Sequence, residues 1–148
     1  MNGPIKQTDW LYRTLLIIWI ALFSSHFGFL FALYVINPDI FQLDCSQPFI
    51  GDHYVIVPLA LLFIVEELII SFWRHSSYLK RSISEQNPEL VQTALITSLA
   101  NAACISLCGL FLGLIFSYTY FYIWLLVGLL ASVYYFPRRS DLKKSRIG

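Results

Sequence analysis

Charge is what this chain has least of. Only 13% of its 148 residues are Asp, Glu, Lys or Arg, and soluble domains are usually nearer a quarter. That shortage excludes a single domain with a wettable surface. A net charge of +1 at this low density marks neither a disordered chain nor a basic nucleic-acid binder. Cysteine is scarce as well. Cys45 stands alone in a loop segment, and Cys104 and Cys108 sit at i, i+4 inside an apolar run. One helical turn bridges poorly by disulfide, so this pair reads as small packing residues, and no Cys/His cluster has zinc-ligand spacing. No Gly-x-Ser-x-Gly, Gly-rich phosphate loop or His-Glu-x-x-His occurs. Nor is there a sequence repeat. The expectation is a protein that is not an enzyme and holds no metal and no cofactor.

Hydrophobic residues are what remain, at 57% of the chain, with a mean hydropathy of +0.65. They gather in four stretches, at about 14–36, 54–73, 93–116 and 120–136. A bilayer core of about 30 Å takes roughly 20 helical residues. The first three stretches meet that length, and the fourth is short but sufficient. The pattern does not alternate as barrel strands do. It predicts an all-α, integral membrane four-helix bundle of two antiparallel hairpins, a single domain over 1–148. The first stretch is too long for a signal-peptide core and lacks a small-residue cleavage pattern, so it reads as a retained span.

The ten cations divide one way. Lys6 and Arg13 precede the first stretch, and Arg74, Lys80 and Arg81 lie between the second and third. Arg138, Arg139, Lys143, Lys144 and Arg146 follow the fourth. The segments 37–53 and 117–119 contain none. The positive-inside rule predicts both termini on the cytoplasmic side of the cell inner membrane. Segment 37–53, with Asp39, Asp44 and Asp52, reads as an acidic outer loop. Asn87-Pro88-Glu89 reads as a helix start with Asn as the cap. The second helix is expected to continue past Arg74 into the polar segment that follows. Trp10, Tyr12, Trp73, Tyr118, Tyr120, Tyr122, Tyr134 and Tyr135 fall at the expected interfaces.

Glu66 and Glu67 interrupt the second stretch. A carboxyl in hydrocarbon is costly and usually faces a bundle interior or a wet cavity. Depth matching at about 1.5 Å per residue brings Thr97, Asn101, Ser24 and His26 toward the same layer. Thr97, Asn101, Cys104 and Cys108 form one helical stripe. The expectation is that one glutamate faces Asn101 or Thr97 while the other faces lipid or another chain. Glu67, Ser71, Thr97 and Ser98 are expected to admit water from the inside. Gly109 and Gly113 form a small-xxx-small helix-packing motif. A haem on His26 would need a second axial ligand, and His53 and His75 lie outside the spans.

Arg13-Thr-Leu-Leu-Ile-Ile-Trp19, the stretch Thr93 to Gly113 and the terminal Phe136-Pro-Arg-Arg139 resemble small uncharacterised bacterial four-helix membrane proteins. Members of that group are sometimes labelled similar to the rotor-ring c subunit of ATP synthases. A working rotor subunit implies a glycine-rich first helix and an ion-carrying acid in the outer helix. Here the first helix has Gly28 alone, and Asn101 and Ala103 occupy the region where that acid would be sought. The reading is therefore an accessory, assembly or structural subunit. Its partners would be the bilayer with other membrane subunits or copies of itself. The alternative is a small proton or ion translocator using an intramembrane glutamate.

Overall fold

The structure, a computed structural model, describes the backbone of residues 4–42 and 48–147 and the side chains of 9–42 and 48–145. Lys6, Asp44 and Cys45 lie outside the described side chains. The described residues form five α-helices and one 3₁₀ turn: α1 (Pro4–Ile36), the turn Pro38–Phe41, α2 (Ile56–Ser84), α3 (Glu89–Phe116), α4 (Phe121–Tyr134) and α5 (Arg139–Ile147). The fold is all-helical, with no strand among the described residues. Three helices are long and apolar enough to cross a membrane: α1 from Asp9, α2 and α3. α4 reaches that standard only together with the first turns of α5, from which it is bent by 50°.

Local chemistry sets the boundaries. α2 runs through the polar segment to Ser84 before Gln86 turns left-handed, at φ 49°, and reverses the chain. The Asn87 side chain accepts a hydrogen bond from Glu89 N at 3.0 Å, covering an orphan donor of α3. Ser117, also at φ 49°, ends α3. Its neighbour Tyr118 then donates from its hydroxyl to Phe49 O at 2.8 Å, tying this turn to the crossover from α1 to α2. Pro137 cannot continue a helix, and the chain from Tyr135 to Arg138 is non-helical before α5 begins.

α3 is the central helix. At about 100° per residue, Ala102, Ser106, Gly109 and Gly113 share one face, with Leu99 and Leu110 roughly 70° to one side and Ile105 and Leu112 roughly 70° to the other. The small face takes α4. A Cβ on Gly109 would stand 2.7 Å from Trp124 Cβ, and one on Gly128 of α4 would stand 2.6 Å from Ala102 O and meet Ser106 Oγ. These backbones approach as closely as they do because no side chain stands between them. One flank of α3 packs on Leu15 and Leu33 of α1. The other packs on Val57, Ala60 and Ile64 of α2. α1 and α2 make at most marginal contact with each other. This corrects the expectation of two hairpins: α3–α4 is one, but α1 and α2 are held apart because they occupy opposite flanks of α3.

Candidate functional site

The most enclosed polar cluster belongs to His26. Its neighbours on α1, Phe23 and Phe29, stack edge-on against the ring, and the residue is buried. Nδ1 lies 2.7 Å from Ser106 Oγ of α3, and Nε2 lies 2.7 Å from Ser132 Oγ of α4. Trp19 Nε1, two turns earlier on α1, donates to Ser132 O at 2.8 Å. A neutral imidazole donates from one nitrogen and accepts at the other, and a hydroxyl does either. The ring therefore fills its hydrogen-bonding capacity with two serines and joins three helices at one depth. With both nitrogens engaged, neither is free as an axial ligand for a haem iron. No group of three or more His, Cys, Asp or Glu side chains suited to a metal occurs among the described residues.

The carboxyls lie elsewhere. Val57, Ile64 and His75 mark the inward row of α2, and Glu67 falls roughly 80° from it and Glu66 roughly 180°. Glu66 is exposed and Glu67 half-buried, within electrostatic reach of the Cys104 thiol on α3. Asn101 is half-buried on the α2 flank. Thr97 donates to Thr93 O at 2.8 Å within its own helix. Ser24 is exposed, roughly 160° round α1 from His26. Among the described residues, no hydrogen bond joins either glutamate to Asn101, Thr97, Ser24 or His26. The structure thus separates the six polar residues singled out by depth. His26 is enclosed, Glu67, Asn101 and Thr97 share the seam between α2 and α3, and Glu66 and Ser24 point away. Of the small residues, Gly109 meets α4 and Gly113 meets Leu33 of α1 and Phe121 of α4.

Depth alone did not reveal Ser106, Ser132, Trp19 or Gly128. For Ser106 the signal was spacing. Ala102, Ser106, Gly109 and Gly113 repeat at +4, +7, +11, as Thr97, Asn101, Cys104 and Cys108 do, but on a different face.

Each end of the bundle holds a cavity. One of about 240 Å³ lies between the loops near His53 and Tyr118. Burial, then the neighbouring Tyr120 and Tyr122, pushes the Tyr118 phenol up to about 12. The other, about 260 Å³, lies at the end carrying the chain termini, where α4 stops short, and His75, Arg138 and Asp141 are among its walls. Neither Glu67 nor Thr97 lines it. No family model, curated protein or solved structure matches this chain.

Proposed function

We propose that this protein is a small, non-enzymatic membrane subunit that crosses the cell inner membrane four times and docks on another membrane protein through the outward face of α2. The fourth crossing is the short stretch at about 120–136, built on α4, and both termini are cytoplasmic. The carrying observation is Glu66. It is exposed, on the side of α2 opposite the core, among exposed Leu59, Leu62, Val65, Ile69 and Trp73. An intramembrane carboxyl normally faces protein or water, because lipid offers it no hydrogen bond. This one faces neither within its own chain, so a second polypeptide supplying a donor accounts for its position. The enclosed polar cluster supports the same reading: His26 is fully satisfied between two serines and needs nothing from outside.

The test is photo-crosslinking in intact membranes from a probe at Leu62 or Ile69, one turn either side of Glu66. A discrete protein adduct, weakened by Glu66→Leu and kept by Glu66→Gln, is the expected result. Adducts to lipid alone would overturn the docking role. A translocator would instead show glutamate-dependent proton or sodium flux in liposomes. Cysteine labelling from outside at residue 118, and from inside at residue 80, reads the proposed orientation.

A further inference from the structure

The cavity at the terminal end exists because α4 is only 14 residues long, about 21 Å, while its neighbours continue. Non-helical backbone at membrane depth is tolerated where it lines a cavity or is buried in protein. Here the stretch from Tyr135 to Arg138 forms one wall of a space of about 260 Å³. Its walls differ. Leu15, Phe72 and Leu95 are apolar, and His75 has the charged Arg138 and Asp141 within electrostatic reach. Tyr134 lines it, and Arg139, next to the lining Arg138, sits 4.6 Å over the Tyr12 ring; both residue types are favoured at the headgroup level.

The donors and acceptors of the polar residues can be assigned. Ser98 Oγ donates to Ala94 O at 2.7 Å, so its proton is committed. His75 Nδ1 lies 3.1 Å from that Ser98 oxygen and 3.4 Å from Ala94 O, and a carbonyl only accepts. With the imidazole hydrogen on Nδ1, the tautomer that suits both contacts, the neutral ring offers a lone pair at Nε2. Nε2 has no hydrogen bond among the described residues and is not sealed from solvent. The cavity thus presents one cation with several N–H donors, Arg138, and two acceptors, Asp141 and His75 Nε2. Neither Arg138 nor Asp141 is in an ion pair among the described residues.

From this pattern we infer that the cavity binds the headgroup of a phosphoethanolamine lipid, with its phosphate on Arg138 and its ammonium shared by Asp141 and His75 Nε2, and its glycerol end against Leu15 and Phe72. Each ligand charge meets its opposite, which a phosphoglycerol headgroup, with no cation, does not achieve. A phosphocholine has the same charges but no N–H for the two acceptors. The inference rests on the membrane-spanning reading above. That reading has its own readout, retention of the chain in carbonate-washed membranes.

The experiment is native mass spectrometry of the full chain in detergent, with short-chain phosphatidylethanolamine, phosphatidylcholine and phosphatidylglycerol of equal acyl length. Charge-assisted hydrogen bonds predict about tenfold preferential retention of the ethanolamine lipid. Asp141→Asn should remove the preference, and Arg138→Gln should abolish retention of all three, with the helical circular dichroism signal of both variants unchanged. Equal retention of the three lipids by the wild type, or a preference surviving Asp141→Asn, would overturn the assignment. So would displacement by equimolar glycerophosphoethanolamine, which would make the ligand a soluble phosphoester rather than a lipid.

Discussion

The two flanks of α3 treat polar side chains in opposite ways. Toward α1, His26 is buried and both its nitrogens are bonded to serines of α3 and α4. Toward α2, Glu67 sits half-buried at the seam and Glu66 faces outward. The difference follows from what each group can become. An imidazole is neutral and bifunctional, so two hydroxyls satisfy it completely. A carboxylate accepts only, and the neighbouring apolar helices offer few donors. Between α1, α3 and α4 the interior saturates the imidazole it holds, and the outer face of α2 carries a carboxyl that needs something more.

The comparison breaks most severely where the α3–α4 contact itself is blocked. Gly128→Val would push a branched side chain into Ala102 O and Ser106 Oγ. A loss of about 3 kcal/mol or more is expected, read as loss of the folded species in detergent melting. His26→Ala comes next. It leaves a cavity and two buried hydroxyls without a partner, and about 2–4 kcal/mol should be lost. If His26→Ala melts like the wild type, the contrast between the flanks disappears. Tyr118→Phe should cost about 1 kcal/mol by removing the bond to Phe49 O. It should also remove a pH dependence. The wild-type phenol, held up at about 12, keeps its proton in the native state after the unfolded chain has lost it near 10. That stability is complete below pH ~10 and declines as pH rises toward ~12. Tyrosinate absorbance and melting temperature followed together would check it. Ser132→Ala should cost only about 0.6 kcal/mol, the usual worth of an interhelical hydrogen bond. Smallest is Glu66→Gln, expected within about 0.5 kcal/mol of wild type because its side chain touches no core. A larger change would mean that Glu66 supports this chain's own fold.

Much of the scaffold was legible before any coordinates. Composition and run length gave four apolar stretches, of which α1, α2 and α3 prove long enough to cross a membrane. Asn87 announced the start of α3, and the short connection at 117–119 made α3 and α4 neighbours. The interior polar contacts were less legible. Cost drew attention to Glu66 and Glu67, but cost says that a residue needs a partner without saying on which side of the helix it stands. The stripe of Thr97, Asn101, Cys104 and Cys108 was polar and therefore conspicuous, while the face that receives α4 is made of Ala102, Ser106, Gly109 and Gly113. Small residues announce close backbone approach, and a serine among them reads as filler until the helix opposite supplies His26. The shortness of α4 was visible in the fourth stretch. The cavity it opens was not, because it depends on the bend after Pro137.

The placement of α3 between α1 and α2 also bears on how the protein is made. The chain leaves the ribosome from its N-terminus, and its first two helices have little to pack against in one another. Until α3 and α4 arrive, the imidazole of His26 is without Ser106 and Ser132. Assembly therefore depends on α3 and α4, and α1 and α2 stay unpaired until those helices are made. A chain truncated before Ser106 would leave that histidine without either hydroxyl partner. The contact that closes the bundle thus forms only once both α3 and α4 have been made.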